Sequence, residues 1–307
     1  CAIVKGGREV IANVVASQIK IHEEFGGVIP EIAAREHLEA INVVIDETFK
    51  QAGVTGKDVT AFASTVGPGL VGCLLVGMNA AKTLALAYDK PFIGVNHLNA
   101  HLAANFIDTN LEPPFIALLV SGGHTQIIKV SSFSEMEIIG ETIDDAVGEA
   151  YDKVARLIGL PYPGGPKLDK LAQIGNSHTF KLPEAKVGGY DFSFSGLKSA
   201  VLNYINGCKM KRQEINEADI AASFQKAVID VLVEHAVHAA KEYRIDKFAI
   251  AGGVASKQTL REAMEKACKE RGIQFYHPSP IFCTDNAAMI GSAAYYEYLQ
   301  GRRDGWD

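Results

Sequence analysis

From Val59 to Ala81 the chain carries no charged side chain. A run of that length can cross a bilayer, which takes about 20 apolar residues. Its interior argues otherwise. Gly67, Pro68 and Gly69 interrupt it, and proline removes a backbone donor and fixes φ, so no single helix passes through. The residues ahead of the break, "VTAFAST", have a β-forming character. The run therefore reads as a buried strand, a tight turn, and a buried helix rich in Gly and Ala from about Leu70 to near Asp89. With no signal-peptide pattern at the start, a soluble chain is expected. It begins at Cys1 without a methionine, which leaves room for residues ahead of it.

Strand–helix units of this kind recur. "CAIVKGGREVIANVVAS" reads as two strands joined at Gly6-Gly7, a hairpin signal. A helix is expected from about Pro30 to Gln51, stopped by Gly53. "PFIGV" is a short strand leading into a helix that starts near His97. "FIALLVSGGHTQIIKV" (115–130) is a second hairpin, and helices are expected near 146–159, 166–174 and 216–243. In "KFAIAGGVASKQTLREAMEKACKERGIQFYHP" (247–278) a strand, a glycine turn, an amphipathic helix and a strand follow one another. Leu260, Met264, Ala267 and Cys268 fall there at helical spacing. Hairpins and strand–helix units in both halves predict an α/β protein of two related lobes, for which a ligand site between the lobes is the default expectation.

Composition narrows the function. The chain has 307 residues, 48% hydrophobic and 21% charged, which suffices for one large domain or two lobes. A formal charge of −6 argues against non-specific coating of nucleic acid, which needs clustered Lys and Arg. Local basic patches remain at "KMKR" (209–212) and at Arg302 and Arg303. The five cysteines are odd in number, scattered and without a CxxC pair, which fits a reducing, cytoplasmic compartment.

Three groups of residues can carry chemistry. "VSGGHT" (120–125) and "AGGVAS" (251–256) each end an apolar strand with paired glycines. Such turns can aim backbone N–H groups at an anion, although either is also compatible with an ordinary tight turn. In "ETIDDAVGEAYDKVARLIGLPYPGGPKLDK" (141–170), Asp144 or Asp145 is placed to N-cap a helix. Asp145, Gly148 or Glu149, and Asp152 share a helix face. Asp152 and Asp169 can accept hydrogen bonds from sugar hydroxyls; a solvated charged face is the plainer alternative. Finally, "GVNHLNAHLAAN" (94–105) sets His97 and His101 four residues apart, on one face of a helix, from which they can bind a metal ion together, although a lone pair of this kind more often serves packing or lies at the surface. Leu98 stands where the zinc-protease pattern H-E-x-x-H requires glutamate, so a peptidase of that type is disfavoured. Asp285, at the start of a helix with small neighbours, offers a carboxylate. Two histidines and one carboxylate would leave coordination positions open, as a catalytic iron or zinc site requires.

The motifs "EFGGVIPEIAAREH" (24–37), "NHLNAH" (96–101), "LLVSGGHTQ" (118–126), "YPGGP" (162–166), "DFSFSGLKSAV" (191–201), "AGGVAS" (251–256) and "CTDNAAMIG" (283–291) occur in order over essentially the whole chain. Together they resemble the TsaD family, the tRNA threonylcarbamoyltransferases. The resemblance implies a two-lobed α/β fold of the actin, sugar-kinase and Hsp70 type. Its N-terminal lobe would span 1–105, completed by 284–307, and its C-terminal lobe 106–283. It implies one divalent ion, Fe2+ or Zn2+, on His97, His101 and Asp285. The substrate-binding positions it implies are Leu119, Val120, Ser121, Gly122, Gly123, Asp152, Gly165 and Asp169. Lys257 stands where the family has an asparagine that contacts the nucleotide. The family also opens with a strand and an "SCD-D/E-T" turn, and Cys1 begins after the point where that turn is expected.

The activity implied is transfer of the threonylcarbamoyl group from threonylcarbamoyl-AMP to N6 of adenosine 37, in tRNAs reading codons that begin with A. ATP or ADP would bind at the same place. Implied partners are tRNA, a paralogous non-catalytic subunit and a small ATPase subunit, with no membrane. The rivals are an ATP-dependent small-molecule kinase or O-carbamoyltransferase of the same fold, a non-catalytic binding subunit and a metallopeptidase. The kinase would need Mg2+ and no histidine pair.

Overall fold

The computed structural model describes residues 1–183 and 187–305; residues 184–186 and 306–307, which fall within the two lobes outlined above, lie outside the described residues. The chain divides into two compact units. One comprises Cys1–Pro113, Ser132–Ser134 and Pro278–Asp307; the other comprises Pro114–Ser131 and Glu135–His277.

In the first unit Gly6 and Gly7 take φ of 60° and 72°, a region open to glycine at little cost. They turn strand β1 (Ala2–Lys5) back onto β2 (Glu9–Asn13) as an antiparallel hairpin. A short helix α1 (Ile19–Glu24) precedes α2 (Pro30–Ala52), which opens on proline and stops where Gly53 turns left-handed. Then β3 (Phe62–Gly67), α3 (Val71–Tyr88) and β4 (Phe92–Asn96) form a parallel βαβ unit that runs straight into α4 (His97–Ala103).

The uncharged run is thus a strand, a turn and a helix, as read. The expectation that its helix is buried is not met. Only Ala81 and Ala85 of α3 are buried, while Val71, Leu75 and Leu86 stand exposed. Apart from Lys82 the helix carries no charge, and it packs chiefly against α2 and β3, and to a lesser extent against β4. By length and composition alone α3 is also apolar enough to cross a membrane.

In the second unit β5 (Phe115–Val120), β6 (Thr125–Val130) and β7 (Met136–Glu141) form an antiparallel meander. Helices α5 (Val147–Leu157), α6 (Gly164–Ala172), α7 (Ser195–Met210) and α8 (Glu217–Glu242) follow. Then β8 (Lys247–Ala251), a 3-10 turn (Gly253–Ser256), α9 (Gln258–Lys269) and β9 (Gln274–Tyr276) complete the unit. The sheet order is β7-β6-β5-β8-β9, with β5 antiparallel to β6 and parallel to β8. Every residue of β5 is buried, which is why "FIALLV" reads as an unbroken apolar run rather than an alternating one. Helix α7 and strand β7 were not anticipated from the sequence.

The chain then rejoins the first unit with α10 (Pro280–Cys283) and α11 (Ala287–Leu299). The first unit runs to Pro113 where the sequence outlines a lobe ending at 105, takes in Ser132–Ser134, and resumes at Pro278 where the sequence outlines 284. Arg8 explains part of this. Its guanidinium donates to the carbonyls of Phe106 (3.3 Å), Thr109 (2.9 Å) and Leu111 (3.0 Å), and so ties that segment to the β1–β2 hairpin.

Candidate metal centre and glycine-lined turn

Helix α4 is started by Asn96, whose Oδ1 accepts from the amides of Leu98 (2.9 Å) and Asn99 (3.3 Å). That cap sets His97 in the first turn and His101 one turn later on the same face. The third member arrives from α11. Asn286 caps that helix by accepting from Met289 N (2.9 Å), and its amide donates to the carbonyls of Phe282 (3.2 Å) and Thr284 (2.8 Å). Asp285, one residue earlier, is therefore not used as the cap. Close approach of the two helices is secured by the buried Ser292 hydroxyl, shared between the carbonyls of Gly7 (2.6 Å) and Ala103 (3.1 Å).

Asp285 Oδ1 lies 3.5 Å from His97 Nε2 and 3.3 Å from His101 Nε2. One donor atom from each of the three residues lies within 4.8 Å of the others. A tetrahedral centre with bonds of about 2.0–2.2 Å would separate its ligand atoms by about 3.3–3.6 Å, so both carboxylate–imidazole distances suit one ion. His101 is 2% exposed, whereas the Asp285 side chain is 80% exposed, which leaves room for further ligands. The hydrogen bond from His101 holds the Asp285 carboxyl below its ordinary value, and both imidazoles pull in the same direction. A carboxylate kept ionised beside two imidazoles is a donor set for borderline divalent ions.

In the second unit the turn Ser121–His124 closes the β5–β6 hairpin. Ser121 N donates to His124 O (2.8 Å), and the Ser121 hydroxyl accepts from His124 N (3.1 Å). Leu119 and Val120 are fully buried, so the accessible surface here comes from Ser121, Gly122 and Gly123. A Cβ on Gly122 or Gly123 would meet nothing within 4 Å. Two other glycines do the opposite. A Cβ on Gly148 would lie 2.7 Å from Ser121 O and 2.8 Å from Gly122 Cα. Gly252, at φ +90°, would place one 2.4 Å from Val120 O. What approaches the α5 face at Gly148 is therefore the Ser121–Gly122 backbone itself, and Gly148 N donates to Ser121 O at 3.1 Å.

The acidic positions separate into different roles. Asp152 Oδ1 accepts from Gly165 N (2.8 Å), joining α5 to α6. Asp169 accepts from Gln225 of α8 and lies 3.8 Å from Lys257 Nζ. Asp145 and Glu149 both pair with Lys153, at 2.6 and 2.9 Å. Neither Asp144 nor Asp145 caps α5, contrary to the sequence reading: the N-cap is Ala146, with no side-chain bond. The first α5 amide is instead satisfied by Thr125 Oγ1 (2.9 Å).

Asp144 serves another helix. Its carboxylate accepts from the hydroxyls of Ser193 (2.5 Å) and Ser195 (2.7 Å) and the amides of Phe194 (2.8 Å) and Ser195 (3.3 Å), at the start of α7. Burial alone would raise its pKa, but these four bonds outweigh it and bring the group to about 2. Losing a helix cap costs about 0.5–2 kcal/mol, so Asp144→Ala is expected to destabilise the chain by about that much in urea unfolding at neutral pH. A depressed pKa means that the stabilisation is complete above the ordinary value of 3.8 and fades as pH falls toward 2. The difference between wild type and variant should therefore shrink across that interval. A difference that stays constant would show that the ionised carboxylate is not what holds α7.

Comparison with known proteins follows the same lines. The sequence model of the TsaD family, described as tRNA N6-adenosine threonylcarbamoyltransferase, matches residues 9–292. A protein of Clostridium perfringens (strain SM101 / Type A) bearing that description is 59% identical over 303 residues, covering 98% of this chain and 89% of the relative. One from Clostridium botulinum (strain Hall) is 56% identical, covering 100% of this chain and 91% of the relative. Among solved structures, HypF of T. kodakarensis superposes with a TM-score of 0.67 at 17% identity, over 85% of this chain and 43% of that one. Full-length HypF in a phosphate- and nucleotide-bound form gives a TM-score of 0.64 at 18% identity, over 86% of this chain and 42% of that one. The two HypF structures bear on the fold alone and agree with a two-lobed α/β architecture of the sugar-kinase and actin type.

Proposed function

This chain belongs to the TsaD family of tRNA N6-adenosine threonylcarbamoyltransferases, a premise from which we propose that it moves a threonylcarbamoyl group from threonylcarbamoyl-AMP to N6 of adenosine 37. The tRNAs concerned are those reading codons that begin with A. The enzyme is a transferase of tRNA threonylcarbamoyladenosine biosynthesis. The observation that carries the reading is the convergence of His97, His101 and Asp285 from two helices far apart in sequence.

Each group of residues then has a role. The open turn takes the adenylate phosphate on the backbone amides of Gly122 and Gly123, which carry no side chain and face open space. Asp152, Gly165 and Asp169 bind the sugar end of the adenylate. His97, His101 and Asp285 would hold one Fe2+ or Zn2+ ion, which when bound supplies a Lewis acid for carbonyl, carboxylate or phosphate oxygens. ATP or ADP binds in the adenylate's place.

With a net charge of −6, the chain depends on partner subunits, a non-catalytic paralogue and a small ATPase, for much of its grip on tRNA in the cytoplasm. The test is direct. Purified chain and partners, given unmodified tRNA and threonylcarbamoyl-AMP, should yield threonylcarbamoyladenosine on nucleoside chromatography. Consumption of the adenylate without a modified nucleoside, or phosphorylation of a small molecule instead, would overturn the reading.

A further inference from the structure

Lys257 is the least ordinary group near the glycine turns. It follows the 3-10 turn at Gly253–Ser256 and opens α9 at its N-cap position. Its side chain points inward and is only 9% exposed. Nζ donates to the Gly165 carbonyl (2.8 Å), stands 3.8 Å from Asp169 Oδ1, and sits 4.3 Å from the centre of the Tyr151 ring. One side chain thus bridges the turn after β8, the first turns of α6, and the buried face of α5. The groups facing the ammonium are Tyr151 and Asp152 from α5, Gly165 and Asp169 from α6, and Gln225 from α8 by way of Asp169.

We propose that Lys257 is a positioning residue of the nucleotide site, acting on the ligand through Asp169 and Gly165 without touching it. The inference rests on the nucleotide reading given above. Its first argument is occupancy: the contacts made by Nζ run toward the protein, whereas a lysine that grips a phosphate presents its head to the opening. The second is charge. Asp152 and Asp169 place two carboxylates where an anionic adenylate is to bind, and a paired cation offsets the one it adjoins. The third is geometry. Asp152 Oδ1 already holds Gly165 N at 2.8 Å, so Lys257 on the Gly165 carbonyl fixes the second polar group of the same peptide-bearing residue. Burial lowers the Lys257 pKa to about 8 against the pull of Asp169 and Asp152, in keeping with an ammonium enclosed by its partners.

Lys257→Met keeps an unbranched apolar stem and removes the charge. With ADP as the probe in calorimetry of the full chain, this variant is expected to raise Kd about tenfold. In an Asp169→Asn background the same substitution should change Kd less than twofold, because the carboxylate it serves is gone. In transfer assays KM for the adenylate should rise in parallel while kcat falls less than threefold; mere loss of folded protein would lower kcat and leave KM alone. Lys257→Gln, neutral and polar, serves if the methionine variant folds poorly, and the same background dependence is expected.

Equal losses in both backgrounds would show that Lys257 reaches the ligand itself and would overturn the proposal while leaving the nucleotide reading intact. An unchanged Kd in Lys257→Met would overturn it in the same way. A wild-type chain that binds no ADP would overturn both.

Discussion

Asp285→Ala is expected to give a folded chain that loses its metal and, with it, transfer activity. Folding should survive because the side chain is 80% exposed and the cap of α11 is Asn286, not Asp285. Metal should not survive. Changing a residue that merely orients a ligand costs roughly 10–100-fold in affinity, so removing one of three ligands should cost at least about 100-fold. Two imidazoles from one helix fix an ion only from one side; the carboxylate closes the set from another helix. Asp285→Asn keeps the shape and removes the anionic donor, and separates charge from size. Elemental analysis of the purified variants, beside circular dichroism for the fold, reads the outcome. Stoichiometric iron or zinc in Asp285→Ala would remove Asp285 from the site and return His97 and His101 to a packing role or to a different third ligand.

Gly122→Val should abolish nucleotide binding without unfolding the protein. The two halves of that statement come from one observation: a Cβ at Gly122 meets nothing within 4 Å, and its φ is not in the left-handed range that penalises other residues. A branched side chain is therefore tolerated by the chain itself and obstructs only something that approaches from outside. A loss of at least about 100-fold in ADP affinity is expected when backbone amides can no longer be reached. Calorimetry with ADP on a variant whose melting temperature is within a few degrees of wild type provides the check. Unchanged affinity would move the phosphate to another surface of the second unit.

How far the sequence foretold these features depends on where each residue's partner lies. The helix pair of His97 and His101 is legible because both imidazoles sit on one local repeat, and the shape of α2 follows from Pro30 and Gly53 at its ends. Asp285 was placed beside the histidines by chemistry and family motifs, and the structure brings those three side chains together. Asp144 was misread for a general reason. An aspartate just ahead of an apolar helix looks like its cap, yet the bonds it makes are to residues 49 to 51 positions away. Those same bonds hide α7, whose start carries no capping side chain of its own. Helix α3 shows a different limit: composition records that a helix is apolar, but not how many of its sides find neighbours. Lys257 could be seen only as a departure from a motif, since nothing local announces that its ammonium reaches Gly165, 92 positions earlier.

Strand β5 has one more consequence, which concerns time rather than shape. It is hydrogen-bonded to β6 on one edge and β8 on the other, and no residue of it meets solvent. Amides in such a strand exchange with deuterium mainly through the largest opening events a unit undergoes, because no smaller fluctuation exposes them. The turn Ser121–His124 is the direct continuation of that strand, with Gly148 and Gly252 pressed against its base at contacts that admit no side chain. The turn is thus mounted on a strand buried along its whole length, whereas loops that carry ligands in general draw on the more mobile parts of a fold. An adenylate bound as proposed would meet donors already held in place, with little ordering entropy left to be lost on binding.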